Sequence, residues 1–133
     1  MIYFDTDIWI HSLVEQDLEK HEQANEIIES YSKQDYIIST LNYQEILFVL
    51  GKLKVSENEI KSIANDLFQL NAVNYSLTEI KRASDIAEQI GFRQINDCIH
   101  TAIAEKHCTE LITYNKKDFS KIAKLTSINI RIL

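Results

Sequence analysis

The chain has 133 residues, 45% of them hydrophobic and 26% charged, which is typical of one soluble globular domain, here predicted to span residues 1–133. No apolar run approaches the ~20 residues of a membrane span, and no basic signal-peptide region opens the chain, so we expect a cytoplasmic protein with no membrane association. The net charge of −6 gives no excess of Lys and Arg for phosphate contact, although it does not exclude nucleic acid binding.

The first half of the chain alternates between strand and helix patterns. Met1–Phe4 is a continuously apolar run, as in a strand buried on both faces, and the next three residues, Asp5–Asp7, are good helix N-caps. Further elements predicted in this half are a helix over 8–14, a helix carrying Ala24, Ile27, Ile28 and Tyr31, a strand at Tyr36–Ser39, and a helix from Thr40 to Leu50 with Gly51 as its C′ residue.

The second half continues this alternation. Two capping boxes, Ser56 with Glu59 and Ser76 with Glu79, predict the starts of two helices. The predicted elements are a helix through Phe68, a strand at Ala72–Tyr75, a helix ending before Gly91, a helix from the N-cap Asn96 to His107, a strand at Leu111–Thr113, a helix at Lys116–Lys124 and a strand at Ile128–Leu133. Alternating strands and helices without a hairpin signal indicate an α/β fold with an open parallel sheet.

The two cysteines are predicted to be small core residues. Cys98 and Cys108 lie on one predicted helix, whose rise separates them by roughly 15 Å and rules out a disulfide within it. Zinc binding by these two residues together with His100 and His107 is an alternative, but the chain has no CxxC spacing.

Acidic side chains stand at several junctions between predicted elements. Asp5 follows the first strand, Glu45 interrupts an apolar helix, and Asp97 falls in the first turn of a buried helix. Asn115 and Asp118 follow another strand. Because sites in open parallel sheets form beyond the carboxyl ends of the strands, we expect these carboxylates to converge on Mg²⁺ or Mn²⁺, which favour oxygen ligands. Such an ion activates water and holds a phosphodiester for in-line attack, which is the chemistry of nucleic acid hydrolysis.

Each acid also has a purely structural explanation. Asp5 can simply cap a helix, while Asp97 and Asp118 fall in first turns, where the helix dipole favours acids. Glu45 shares its helix face with apolar residues, so an unpaired carboxylate there would be costly. It therefore needs a partner, and a lysine or arginine, a metal ion and a shared proton all stay open. His100, one turn after Asp97, is expected to be a core or supporting group.

Gathering these acids has an electrostatic cost. If Asp5, Glu45 and Asp97 meet without a cation, repulsion and partial burial should raise at least one carboxylate pKa above its unfolded value. On this basis Glu45→Gln is expected to raise the melting temperature of the metal-free protein, whereas a plain salt bridge at Glu45 predicts the reverse. Basic residues that are candidates to rim the site, or are simply solvated, are Lys52, Lys54, Arg93, Lys116, Lys117, Lys121 and Lys124.

Four motifs in chain order closely resemble the PIN-domain ribonucleases and, more narrowly, the VapC-type toxins of bacterial and archaeal toxin–antitoxin systems. These motifs are Phe-Asp-Thr-Asp over 4–7, Leu-Asn-Tyr-Gln-Glu-Ile-Leu over 41–47, Ile-Asn-Asp-Cys-Ile-His-Thr-Ala-Ile-Ala over 95–104, and Thr-Tyr-Asn-Lys-Lys-Asp-Phe over 113–119. The resemblance spans essentially the whole chain. It implies a three-layer α/β/α fold with a central, mostly parallel sheet, Mg²⁺- or Mn²⁺-dependent endoribonuclease activity on RNA, a homodimer, and inhibition by a cognate antitoxin.

The resemblance also implies roles for individual residues. Its metal-binding and catalytic acids correspond to Asp5, Glu45 and Asp97, with Asp118 as a further catalytic acid. The supporting residues are Thr6, Thr113 and Asn115. Because family members carry either an acid or an asparagine after this strand, both Asn115 and Asp118 match the fourth position, and one or two bound metals are compatible with the pattern.

Two other functions stay open at this point. Ile2–Asp7 also fits the Asp-x-Asp opening of haloacid-dehalogenase-like phosphatases, in which Asp5 would be a nucleophile and Asp7 an acid/base. Tyr36–Thr40 would then imitate the strand-Ser/Thr motif of that family, although its glycine-rich connections are missing. The other alternative is a catalytically silent PIN-like binding module, against which the intact acids argue.

Overall fold

The computed structural model describes residues 1–133 and has a central sheet of five parallel strands, in the order β3-β2-β1-β4-β5. Its elements are β1 (Ile2–Phe4), α1 (Thr6–Leu13), α2 (Leu18–Glu29), β2 (Tyr36–Ser39), α3 (Thr40–Lys52), α4 (Glu57–Leu67), β3 (Ala72–Val73), α5 (Leu77–Ile90), a 3₁₀ turn (Phe92–Gln94), α6 (Ile95–His107), β4 (Glu110–Thr113), α7 (Lys116–Ile122) and β5 (Asn129–Ile132). The predicted α/β fold is confirmed, with every strand pair parallel.

Helices cover both faces of the sheet because successive strand residues point to opposite sides. On β1, Tyr3 packs into a core cluster with residues of α5, α6 and α7, whereas Phe4 packs into a second cluster with residues of α1, α2, α3 and α4. Cys98 and Cys108 are buried free thiols in the first cluster, as predicted. The result is the three-layer α/β/α arrangement.

The strand order reverses at β1, which lies between β2 and β4. Phe4 is paired with Ile112, so the next residues along the chain, Asp5 after β1 and Thr113 at the end of β4, lie side by side. The Asp5 amide donates to the Ile112 carbonyl at 2.9 Å and extends the ladder to this point. A crevice beyond the carboxyl ends of adjacent strands at such a reversal is the usual binding site of an open α/β sheet.

Three predicted boundaries are wrong, each for a local reason. Gly51 lies inside α3, which continues to Lys52, and Lys54 adopts the left-handed conformation beyond it with φ 60°. Asn96 is not an N-cap: α6 begins one residue earlier, and the Asn96 side chain contacts another helix instead. The strand predicted to reach Tyr75 stops at Val73, because its pairing partner β2 ends there and gives way to α3.

None of the helices combines the length and apolar character needed to cross a membrane.

Candidate active site

A cavity of ≈ 530 Å³ opens at the carboxyl edge of β1 and β4. Asp5, Glu45 and Asp97, which are far apart in the sequence, all line it. Of the other predicted site residues, Thr6 and Asn115 line the cavity, whereas Thr113 and Asp118 contact residues that do. The complete lining is Asp5, Thr6, Asp7, Ile10, His11, Glu45, Phe48, Val49, Asn96, Asp97 and Asn115.

Asp5 is the N-cap of α1, and its carboxylate is fixed from two sides. Its Oδ1 accepts from the Thr6 amide at 2.8 Å, and its Oδ2 accepts from the Thr113 hydroxyl at 2.7 Å. Burial raises the pKa of Asp5, and although His100 and these hydrogen bonds act in the opposite direction, the net shift is upward. The hydroxyl of β4 therefore orients a carboxyl group whose pKa is raised above its ordinary value.

Asp7 lies on the same side of the cavity and is less well satisfied than Asp5. Its Oδ2 accepts from the Tyr114 amide at 3.1 Å and from the Thr113 hydroxyl at 3.3 Å, whereas its buried Oδ1 has no hydrogen-bond partner. Burial, together with the charge of Asp5, raises the pKa of Asp7 to about 8. Asp7 is thus a half-buried acid with an unused buried oxygen, and not a helix cap.

Asp97 enters from the first turn of α6. Burial and the charge of Asp5 raise its pKa to about 7, with Asp118 contributing in the same direction. Its Oδ2 accepts from Asn115 Nδ2 at 3.3 Å, and the same nitrogen donates to Asp118 Oδ2 at 3.0 Å. Asn115 therefore stands at the cavity wall between two acids, and Asp118 lies behind it.

Glu45 differs from the other acids because it is surrounded by donors. Its Oε1 accepts from the Thr6 hydroxyl and lies 2.6 Å from His100 Nε2, and its Oε2 accepts from Asn96 Nδ2 at 3.1 Å. Burial alone would raise the pKa of Glu45, but the hydrogen bond and charge of His100 outweigh it and lower that pKa.

This environment corrects two predictions about Glu45. Its charged partner is His100, so a pairing with lysine or arginine, which was left open, is wrong. The expectation that Glu45 is an electrostatically strained acid is also wrong, since its pKa is lowered. The more general prediction, that at least one gathered carboxylate has a raised pKa, is confirmed at Asp5 and Asp97.

The anionic cavity has no lysine or arginine in its lining. None of the lysines and arginines considered as rim residues lines it, and Lys52 instead lies over the ring of Phe48, 5.6 Å from its centroid. Three carboxyl groups that are buried or half-buried and have raised pKa values, together with the unpartnered Oδ1 of Asp7, fit a bound cation. The acids do not form a group of three that could hold an ion directly, but Mg²⁺ typically takes only one or two carboxylates and keeps several waters.

Two histidines belong to the surroundings of the site, one of them predicted and one missed. The prediction that His100 is a core or supporting group is confirmed, since it is 1% exposed and contacts Glu45. His11 lines the cavity one helical turn after Asp7, a spacing that also puts both residues on one helix face. Burial and the charge of Lys20 lower the pKa of His11.

The phosphatase alternative loses its second motif in this structure. Ser39, which would have to face the substrate, is fully buried and does not line the cavity. Its hydroxyl contacts Tyr3 and Asn42 and caps α3.

Comparisons with known proteins are consistent with this geometry. A toxin–antitoxin complex from Klebsiella pneumoniae includes a chain that is 25% identical, with a TM-score of 0.71 and coverage of 98% of this chain and 100% of that one. The sarcin-ricin loop cleaving toxin VapC20 of Mycobacterium tuberculosis gives a TM-score of 0.75 at 16% identity, covering 98% and 99%. VapBC2 from Rickettsia felis, solved bound to a promoter DNA fragment, gives 0.68 at 16% identity, covering 100% and 99%.

Among curated proteins, none matches the sequence significantly. The profile of the PIN domain, in contrast, matches residues 2–125, which include every predicted site residue. With its parallel sheet and its acid-lined cavity at the reversal of strand order, the chain belongs to the PIN domain family.

Proposed function

We propose that this protein is an endoribonuclease that uses Mg²⁺ or Mn²⁺ to hydrolyse phosphodiester bonds of RNA, and that it is the toxin of a toxin–antitoxin pair acting in the cytoplasm. The observation that carries the proposal is the cavity lined by Asp5, Asp7, Glu45 and Asp97 without a lysine or an arginine. A polyanionic substrate enters such a cavity only if bound cations neutralise the carboxylates. The acids repel RNA when no metal is bound, and the metal ions that they bind attract it.

Asp5 and Asp97 are the residues proposed to hold the metal, with Asp7 offering a free oxygen beside them. When bound, the ion supplies an activated water and polarises the phosphoryl oxygens. Thr113 holds the Asp5 carboxylate in place, and Asn115 holds that of Asp97. Because both side chains are oriented in advance, the reaction does not pay the entropy of ordering them. In this proposal Asp118 acts through Asn115.

Glu45 is proposed to orient the attacking water. Its Oε1 already accepts two hydrogen bonds, from Thr6 and His100, while its Oε2 accepts one from Asn96 and keeps capacity for another. Because its pKa is lowered, Glu45 stays charged at neutral pH and accepts a hydrogen bond from water throughout the reaction. A direct bond from Glu45 to the metal is the alternative role.

The antitoxin component of the proposal draws on the relatives, of which one is described as a toxin–antitoxin complex. We also propose a homodimer, which the resemblance of the sequence motifs implies. Large apolar side chains are also exposed on this chain, among them Phe48 on α3 (66%) and Phe68 just after α4 (47%). A second copy or an antitoxin segment would cover such side chains. Light scattering at micromolar concentration tests the dimer, and a monomer would contradict it.

The test of the activity is cleavage of a labelled RNA by purified protein with Mg²⁺ or Mn²⁺. Asp97→Asn preserves the shape of the side chain and should remove cleavage, as should EDTA. Asp85→Asn is the matched control, because it makes the same change of charge at an exposed position on α5 and should leave cleavage unchanged. Cleavage that survives EDTA or Asp97→Asn would contradict the proposal, and metal-dependent RNA binding without cleavage would favour the silent binding module.

A further inference from the structure

His100 on α6 has no direct part in the proposed chemistry. It is 1% exposed and does not line the cavity, so it contacts neither RNA nor metal. Its Nε2 nevertheless lies 2.6 Å from Glu45 Oε1, and its Nδ1 lies 2.6 Å from the Tyr3 hydroxyl. A fully buried imidazole with both nitrogens engaged, one of them on a cavity acid, has a fixed orientation.

One face of α6 holds both carboxylate oxygens of Glu45. His100 contacts Oε1, and Asn96, four residues earlier and therefore on the same helix face, donates to Oε2 at 3.1 Å. Asp97 lies on the same helix, next to Asn96. These two contacts therefore join α3 to α6 and fix where Glu45 stands relative to Asp97.

The contact between His100 and Glu45 is part of a closed ring of side-chain hydrogen bonds. From His100 the ring passes to the Tyr3 hydroxyl, then to Ser39 Oγ at 2.7 Å, and on to Asn42 Oδ1 at 3.0 Å. Asn42 Nδ2 donates to Thr6 Oγ1 at 3.1 Å, and that hydroxyl donates to Glu45 Oε1 at 2.6 Å.

Five members of this ring are buried, and Glu45 is the member that is more exposed. The ring crosses β1, β2, α1, α3 and α6. Asn42 Oδ1 accepts from the Ser39 hydroxyl, so the Tyr3 hydroxyl donates to Ser39 Oγ and accepts from His100 Nδ1. The complete ring therefore uses both N–H groups of the imidazole, one toward Tyr3 and one toward Glu45, as in protonated histidine.

We propose that His100 is a positioning residue: through this ring and together with Asn96, it holds the Glu45 carboxylate in the orientation that the reaction requires. The inference rests on the proposed function, since it assigns Glu45 a part in RNA hydrolysis. Beyond that function, it assigns His100 a role that acts through Glu45. The contacts between α6 and α3 then set the orientation of the Glu45 carboxylate in the site.

His100→Leu and His100→Gln test this proposal. Leucine fills the space without a donor, whereas glutamine retains an N–H in place of Nε2. We expect His100→Leu to reduce kcat for RNA cleavage by about tenfold or more, the size of effect that follows from losing a hydrogen bond to a charged group. His100→Gln should recover most of that loss. KM for RNA should stay near the wild-type value in both variants, because His100 does not line the cavity. Ile103→Val, a buried change on the same helix, is the control and should leave kcat unchanged.

A kcat of His100→Leu within about twofold of wild type, or a His100→Gln variant as slow as His100→Leu, would overturn the proposal. Since His100→Leu leaves the Tyr3 hydroxyl and Glu45 short of a partner in the core, Asn96→Ala provides a second test at an exposed position. It should lower kcat by a smaller factor, about threefold, without changing the melting temperature, and an unchanged kcat would count against the inference.

The same variants separate failure of this inference from failure of the proposed function. If wild-type protein does not cleave RNA with Mn²⁺, the function is wrong, and the ring is then tested by crystal structures of the two His100 variants. The positioning role predicts that the Glu45 carboxylate keeps its orientation in His100→Gln and leaves it in His100→Leu. An unchanged Glu45 orientation in His100→Leu would contradict the positioning role.

Discussion

The two sides of the cavity carry the same chemical group in opposite electrostatic conditions. On one side, burial and mutual repulsion raise the pKa values of Asp5, Asp7 and Asp97. On the other, Glu45 is also partly buried, yet donors from Thr6, Asn96 and His100 lower its pKa. Burial alone therefore does not decide the state of a carboxylate, and the donors aimed at it do.

This difference indicates which side of the cavity binds a cation. The side with Asp5, Asp7 and Asp97 lacks positive charge, and a cation would complete it. The Glu45 side already has its positive partner in His100, and its carboxylate is held in place before any ligand arrives. A site divided in this way separates metal binding from the orientation of water, and the two functions can be disturbed independently.

The largest expected effect is stabilisation by metal. Because Mn²⁺ binds the native acids and not the unfolded chain, a hundredfold excess over Kd should raise the free energy of unfolding by about 2.7 kcal/mol. Melting curves with and without Mn²⁺ measure this. Asp97→Asn should reduce the shift strongly, while Asp85→Asn should retain it, and equal shifts in the two variants would place the metal elsewhere.

Glu45→Gln comes next, and its expected direction is the reverse of that inferred from the sequence. Removing the charge leaves His100 buried beside a neutral amide, so the metal-free protein should lose about 2 kcal/mol of unfolding free energy at neutral pH, less than a fully buried pair would cost. Urea unfolding at pH 7 gives this value. A more stable Glu45→Gln would mean that Glu45 shares the repulsion of the other acids.

The reversal illustrates what a single sequence can and cannot provide. Apolar runs, caps and the order of elements are local signals, so they predict that Asp5 and Asn115 come to the same sheet edge, and the motifs around Glu45 and Asp97 point there too. The partners of Glu45 are not local. They depend on how α3 lies against α6, and the shift of the α6 N-cap by two residues, from Asn96 to Gln94, frees the Asn96 side chain to contact Glu45.

The pKa of Asp7 shows the same limit. Its place after β1 is readable from the sequence, but its unpartnered Oδ1 follows from the packing of α1 against β4, which supplies donors to Oδ2 only. Periodicity predicts that a residue faces a cavity. The number of donors that reach each oxygen requires the three-dimensional structure.

A smaller effect is expected from Asp97→Asn on the metal-free protein. The wild-type carboxyl has a pKa of about 7, so at pH 8 it is mostly charged in an environment that disfavours charge. Asparagine removes that charge and should raise the free energy of unfolding at pH 8 by on the order of 1 kcal/mol. Urea unfolding measures the change in unfolding free energy for both variants. An increase for Asp97→Asn and a decrease for Glu45→Gln would support the contrast between the two sides of the cavity, and changes of the same sign would contradict it.

The last expected effect is the pH dependence of the metal-free protein. Asp97 and Asp7 have folded pKa values of about 7 and about 8, above their unfolded values near 4, so their contribution to stability is present below pH 4 and lost as pH rises through 7 to 8. The raised pKa of His100 acts in the same direction. The lowered pKa of Glu45 contributes stability at neutral pH, and this contribution is lost only in acid, as the pH falls through the folded pKa. Melting temperatures should therefore fall between pH 5.5 and 8.5, and saturating Mn²⁺ should flatten that fall.

The most direct test of the account compares the Mn²⁺ dependence of two observables on the same wild-type sample: the rise in melting temperature in the absence of RNA and the initial rate of RNA cleavage. If the cavity that binds the ion also performs the hydrolysis, both should vanish in EDTA and in Asp97→Asn, and their half-saturating Mn²⁺ concentrations should agree within about threefold after correction for temperature. Cleavage that proceeds without metal, or that saturates where the thermal shift shows the cavity to be empty, would contradict the assignment of this site.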